Sequence, residues 1–335
     1  MSCERERENT VADPSAVKHS APAKLILMGE HFVVHGCPAV AIPVRGLDLE
    51  ATLWWRGRRD EHLPGCEKSP EVAGRRKRQA ESGAGIRPTS HLKACVELAA
   101  RHFGLDPDRI DVDICSSIPV GSGLGSSAAV SVAVAGAVAK LAGRWDPPRS
   151  VDELRTISLA AETLAHGKPS GIDTEVCLTQ RTVLFTKGSE PTPMTWERAP
   201  CMGLVVMNTG VASSTAKMVS LASDFADTHP REFERLCDET REAVERTKDA
   251  LQRGDLEQLA SLIDRQHGRL RELGVSCQEL ERDIATARRL GALGAKLSGS
   301  GGGGVAFAVC PLGHEGVLGG RLEAEGVDVV KATTL

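Results

Sequence analysis

The sequence predicts a two-domain α+β protein, and three observations lead to that reading. At 335 residues the chain is long for one core, since chains beyond about 250–300 residues tend to divide. A strand-like segment, a glycine-rich loop and an apolar helix follow one another between Asp111 and Ala142. Near the other end a glycine run, Leu297-Ser-Gly-Ser-Gly-Gly-Gly-Gly304, lies between two strand-like segments. Linkers are rare in such a place, so both loops are read as built parts of a fold.

Residues 1–20 hold Arg5, Glu6, Arg7, Glu8 and Asp13 with no apolar stretch, which predicts a disordered tail and no secretory signal. Lys24-Leu-Ile-Leu-Met28, closed by Gly29, has the pattern of a buried strand ending in a turn. Residues 38–44 and 47–55 would extend the sheet as two further runs. From Arg56 to Pro88 the composition turns to Arg, Lys, Glu, Gly and Pro and predicts a mobile surface loop. Its basic tetrad Arg75-Arg-Lys-Arg78 is surrounded by Glu61, Glu67, Glu71 and Glu81, which favours a solvated face over a nucleic-acid patch.

His91 to Phe103 has helical spacing, stopped by Gly104, and Asp111 to Ile118 alternates as a strand does. Ala128 to Ala142 reads as a buried helix; Ser131 and Lys140 interrupt it, and it is short for a membrane span. Val151 to Ala165 predicts a helix whose inward stripe is Leu154, Ile157, Ala161 and Leu164. Residues 166–171 break it, and Val176 to Phe185 returns to strand character. A new unit begins at Met202, so the boundary is placed near residue 198, between domains 21–197 and 198–335. Helices are expected over 238–253, 255–273 and 277–290, then strands over 305–310 and 327–332 with a helix between them.

Composition narrows the function. With 41% hydrophobic residues, 26% charged residues and a formal net charge of -4, the chain lacks the basic excess of a nucleic-acid binder. It has no Tyr, 6 Phe and 4 Trp, which leaves few rings for base stacking. With no membrane span and no secretory signal visible, a cytoplasmic location is expected, and in such a reducing compartment the ten scattered cysteines, without a C-x-x-C pair, read as small buried hydrophobes carrying thiols.

The segment Pro119-Val-Gly-Ser-Gly-Leu-Gly-Ser-Ser-Ala-Ala129 suits an anion: glycines expose backbone N–H groups, and a helix start adds its positive dipole end. It lacks both the Walker ending and the dinucleotide spacing. A flexible turn with Ser126 or Ser127 as N-cap is the alternative. Together with the second glycine run it suggests a bound polyphosphate. The bend Pro169-Ser-Gly171 presents Asp173 either as a positioning base or as a helix cap. Glu162, beside the inward stripe, is either a Mg²⁺ ligand or a solvated helix residue. His31, His35 and Cys37 imitate a zinc site but lack a fourth ligand.

Three separated segments resemble the signature regions of the GHMP kinases, the family of galactokinase, homoserine kinase, mevalonate kinase and phosphomevalonate kinase. They are Pro22-Ala-Lys-Leu-Ile-Leu-Met-Gly-Glu-His-Phe-Val-Val-His-Gly36, Pro119 to Ala129 and Lys296 to Gly304, in family order from about residue 20 to the end. Residues 29–36 and 166–173 are most similar to the mevalonate kinase group. The resemblance implies an N-terminal domain like ribosomal protein S5 domain 2, a ferredoxin-like C-terminal domain and an active site in the cleft between them. It implies ATP as donor, mevalonate as acceptor and a role in isoprenoid biosynthesis.

Residue by residue, the resemblance makes Asp173 and Lys24 catalytic and places Mg²⁺ on Ser127 and Glu162. It gives ATP to Pro119, Gly121, Ser122, Gly123, Leu124, Gly125, Ser126 and Ser127, with Gly299, Ser300, Gly301 and Gly302 closing over the site. It gives the acceptor to Glu30, His31, Ser170 and Thr215. Two positions depart from the family pattern: Thr174 stands where Asn is usual, and Ser213 where an Arg is common. Another kinase of the family, acting on phosphomevalonate, homoserine or a sugar, and a catalytically silent ligand binder are the alternatives. A homodimer is left open.

Overall fold

The computed structural model describes residues 16–57, 90–119, 121–147, 149–167, 169–194 and 202–335. Most of the expected loop from Arg56 to Pro88, basic tetrad included, lies outside them, as do residues 1–15 of the expected tail. Strand β1 (Val17–Met28) begins inside that tail and corrects it for residues 17–20. The correction has a physical cause: Lys18 pairs with Glu50 at 2.8 Å, and the His19 ring packs edge-on against Trp145 at 4.8 Å.

Strand β2 (Pro38–Trp55) is one continuous strand where two runs were expected. Helix α1 (Ser90–His102), strand β3 (Ile110–Ser116), helix α2 (Ser126–Leu141) and helix α3 (Arg149–His166) lie close to their predicted ranges. Helix α2 is mostly enclosed, with Ala129, Ala133, Val134, Ala137 and Val138 all at 0% exposure, while Ser126, Ser127, Val130 and Lys140 are half-buried. On α3 the expected stripe is corrected at its end, because Leu164 is 67% exposed while Ser158 and Glu162 join Leu154, Ile157 and Ala161 on the buried face.

The expected strand from Val176 is corrected to helix α4 (Ile172–Thr179), followed by strand β4 (Val183–Thr186) and the short β5 (Thr192–Pro193). Gly171, at φ 86°, turns the chain into α4, and Asp173 and Glu175 in its first turn suit the positive end of the helix dipole. These strands form one sheet in the order β1-β2-β4-β5, with β3 also on β2. The β2–β4 register pairs Pro38 with Thr186 and Ala41 with Val183.

The second sheet begins at β6 (Met202–Asn208). Helices α5 (Thr215–Thr228), α6 (Pro230–Arg253), α7 (Leu256–Glu272) and α8 (Gln278–Arg289) follow, of which α5 was not foreseen. Strands β7 (Gly294–Ser298) and β8 (Val305–Pro311), helix α9 (Glu315–Ala324) and strand β9 (Asp328–Thr334) complete it. The order is β7-β8-β6-β9, with antiparallel neighbours. From the β9 edge the strands come fourth, first, third and second in chain order, the ferredoxin-like arrangement.

The described chain forms two compact units that interleave in sequence. Of the described residues, those within 16–20, 50–57, 90–115 and 130–167 belong to one, and those within 21–49, 116–129 and 169–335 to the other. In the second unit, Phe32 and Cys37 join a core of Val205, Met207, Leu236, Leu270 and Ile284, and Phe32 stacks on Phe233 at 5.9 Å. This packing pins the turn that follows β1. Cys37, Cys95, Cys177, Cys237, Cys277 and Cys310 are free thiols. Cys115 is disulfide-bonded, which corrects the thiol expectation there. Among the described residues, no helix is long and apolar enough to cross a membrane.

Candidate active site

Lys24 stands on the buried part of β1 and is 3% exposed. Its backbone N–H donates to Leu124 O at 2.9 Å, which fastens the glycine loop to the strand. Its Nζ reaches Asp173 Oδ1 at 3.0 Å and Gly123 O at 3.4 Å. The lysine side chain is 4% exposed and the aspartate side chain 38%, so the pair joins an enclosed cation to an accessible carboxylate. Ser170 Oγ accepts the Ile172 N–H at 3.4 Å and shapes the turn that presents Asp173.

The first glycine loop is closed by Ser122 Oγ, which donates to Pro119 O at 2.8 Å, while Leu124 anchors it at 1% exposure. Gly125 stands directly before α2, so Ser126 and Ser127 form the first residues of that helix, where the positive end of its dipole favours phosphate. The second glycine loop runs against the first: a Cβ built on Gly304 would lie 2.9 Å from Ser122 O, and one on Gly299 would lie 3.6 Å from Gly123 O. The two loops predicted from separate motifs therefore form one surface.

The acceptor candidates lie beside it. His31 takes φ 61°, a conformation that few residues other than glycine adopt. Its Nε2 donates to Ser300 O at 2.8 Å, and burial holds its pKa below the ordinary value, so the ring is neutral with Nδ1 as acceptor. Glu30 is 1% exposed, and its Oε1 accepts from Lys296 Nζ, itself 0% exposed. Thr215 begins α5 behind the N-cap Ser214, and its Oγ1 lies 3.4 Å from Ser300 Oγ. Ser213 Oγ donates to Gly301 O and lies 2.9 Å from Ser300 Oγ. Where an Arg was expected, a hydroxyl clamps the second loop.

In the other compact unit Glu162 is 5% exposed, which sets aside the solvated-residue alternative. Its Oε1 accepts from Ser131 Oγ at 2.8 Å, and His91 Nε2 stands 3.4 Å away. Hydrogen bonding to Cys95 and to Glu162 pushes the His91 pKa up to about 10. The zinc imitation dissolves: His31 is bound to Ser300, His35 packs on Phe233 at 4.7 Å, and Cys37 Sγ donates to Cys237 O at 3.6 Å.

Comparison with known families decides the assignment. The GHMP kinases N terminal domain matches residues 90–181, and the GHMP kinases C terminal domain matches residues 247–325. A mevalonate kinase of Thermococcus onnurineus is 35% identical over 312 residues, 87% of this chain and 88% of that protein. One of Aeropyrum pernix is 31% identical over 303 residues, 86% of this chain and 87% of that protein. The chain belongs to the mevalonate kinases of the GHMP family.

A solved member of the GHMP family, the L. major mevalonate kinase in complex with R-mevalonate, superposes with a TM-score of 0.77 at 28% identity, covering 95% of this chain and 94% of that one. Against the GHMP pattern, sequence reasoning brought together Lys24, Asp173, both glycine loops, Glu30, His31 and Thr215. It passed over Lys296, although one lysine inside an otherwise apolar strand before a glycine run is a visible signal. It also passed over Ser131 and His91, whose meaning depends on Glu162 facing inward.

Proposed function

We propose that the chain transfers the γ-phosphoryl group of ATP to the terminal hydroxyl of mevalonate, giving 5-phosphomevalonate and ADP. The observation that carries the mechanism is the Lys24–Asp173 pair at 3.0 Å, set against the glycine loop through Gly123 O. Phosphoryl transfer depends on positioning and charge stabilisation more than on covalent help from the protein. The acceptor oxygen forms a bond to the γ-phosphorus as the bond to the ADP oxygen breaks. Asp173 orients the hydroxyl and takes its proton, and Lys24 stabilises the developing negative charge on that oxygen. The amides of residues 121–125 and 299–301, with the α2 N-terminus, bind the polyphosphate; the Gly302 N–H expected to join them instead donates to Val275 O at 2.8 Å.

Ser127 offers a hydroxyl and Glu162 a carboxylate, each a hard oxygen donor of the type Mg²⁺ takes, and within its own unit Ser131 orients the Glu162 carboxylate. Among the described residues no cluster of three His, Cys, Asp or Glu could cage a metal. Mg²⁺ needs no such cage, because it takes one or two carboxylates together with substrate phosphates. When bound, it supplies charge neutralisation at the β- and γ-phosphates.

Functional domains of 21–197 and 198–335 are part of the proposal, supported by the change of sheet between Pro193 and Met202. A cytoplasmic setting is part of the same proposal, supported by six free thiols among the described residues and opposed by the disulfide-bonded Cys115. A coupled ADP-release assay over mevalonate, phosphomevalonate, homoserine and galactose tests the acceptor, with turnover expected on mevalonate alone. Asp173→Asn is expected to bind both substrates and lose about 10²-fold or more in kcat; near wild-type turnover would remove Asp173 from its role.

A further inference from the structure

We infer that Lys296 is a positioning residue for the acceptor: it holds Glu30 by one carboxylate oxygen and leaves the other, Oε2, to accept a hydrogen bond from a hydroxyl of the bound alcohol. This rests on the kinase reading above and adds to it the group that orients the acceptor.

The geometry begins with a lysine where none is needed for packing. Every residue of β7 is buried, and Lys296 is 0% exposed. An ammonium group withdrawn from water is tolerated only when fully partnered. Its three protons have three acceptors: Glu30 Oε1, Leu297 O at 2.7 Å and Ile26 O at 3.5 Å. The Phe307 ring lies 5.1 Å from Nζ. An apolar side chain would fill the same space without these demands, so the charge has its reason in Glu30.

Glu30 is satisfied on one side only. Oε2 is buried and has no hydrogen-bond partner among the described residues. Buried acceptors are almost always paired, so an unanswered one beside the acceptor candidates calls for a reason. The residue stands where a ligand belongs. It shares a turn with His31, bound to the second glycine loop, and it feels the charge of Lys24, partner of Asp173. Burial pushes the Glu30 carboxyl up and the Lys296 ammonium down, and each pulls the other back. Without the ammonium, burial acts on Glu30 unopposed by Lys296, favours the protonated carboxyl and leaves a donor where an acceptor is required.

The test compares Lys296→Met, Lys296→Arg, Glu30→Gln and the double variant with wild type, measuring KM for acceptor and for ATP from about pH 6.5 to about pH 9. Lys296→Met is expected to raise the acceptor KM about tenfold or more at neutral pH, the effect of losing a charge-assisted hydrogen bond. Its ATP KM should stay within about twofold. Its kcat/KM for the acceptor should climb with pH as Glu30 ionises, whereas Lys296→Arg should follow wild type. A wild-type acceptor KM in Lys296→Met, or equal rises in both KM values with an unchanged pH profile, overturns the inference.

Should Lys296→Met fail to fold, the neutral double variant decides. Lys296→Met with Glu30→Gln should match Glu30→Gln alone in acceptor KM, and wild-type affinity in the double variant overturns the inference. All ratios are taken with the alcohol that wild type phosphorylates. Inactivity of wild type on mevalonate would count against the proposed function, while the variant ratios would still decide the role of Lys296.

Discussion

Gly301 shows how closely the second loop is fitted. At φ 75° it holds a conformation that side chains strain, and a Cβ there would stand 2.0 Å from Val275 O. Gly301→Ala is therefore expected to cost about 1–3 kcal/mol and to raise the KM for ATP, as read by thermal melting and initial rates. The glycine is plain in the sequence; the carbonyl that forbids a methyl group is not. Glu162 and Leu164 make the same point. Helical spacing placed Leu164 on the inner stripe, yet 67% of it is exposed and Glu162 is buried instead, because Ser131 and His91 satisfy the carboxylate. Spacing alone does not report which polar side chain will find partners.

Among the elements, β1 and β7 belong to different sheets and are joined at Ile26 by the Ser298 hydroxyl and by Lys296 Nζ. Ser298 Oγ accepts the Ile26 N–H at 3.0 Å and donates to Ile26 O at 3.1 Å. Ser298→Ala leaves the Ile26 N–H without the Ser298 hydroxyl and Ile26 O with the longer Lys296 Nζ contact at 3.5 Å, and a loss of about 1–3 kcal/mol is expected in urea unfolding, with ATP and acceptor contacts retained. Long, strongly patterned elements such as α2, α3 and α7 were legible from their residues. Helix α4 was not, because Val176, Cys177 and Leu178 suit a strand equally well, and the Gly171 turn with Asp173 and Glu175 behind it decided for helix. Continuous β2 was read as two runs because Arg45 and Gly46 interrupt the apolar pattern without interrupting the strand.

For the whole molecule, each compact unit contains a histidine that folding holds neutral. Burial, with a smaller effect of Lys140, lowers the His19 pKa from 6.5 to about 4. Burial likewise lowers the His267 pKa from 6.5 to about 4, against the attraction of Glu281 at 3.0 Å. Between those values the unfolded chain binds protons that the folded chain refuses, so stability is intact above pH 6.5 and falls as pH drops toward 4. Melting temperatures measured across that window should decline, and His19→Asn should remove part of the slope. A flat profile would mean that neither ring resists protonation.

The sequence by itself determined the strand–glycine loop–helix unit, the second glycine run, the candidates Lys24 and Asp173, and the family they resemble, because backbone conformation and apolar periodicity are local properties. Tertiary structure alone decided which distant groups meet. Lys296 pairs with Glu30 across 266 residues, and His31 reaches Ser300 across 269. Such pairs leave no trace in spacing, since burial removes water from both partners together and makes each the condition for the other's charge or hydrogen bond.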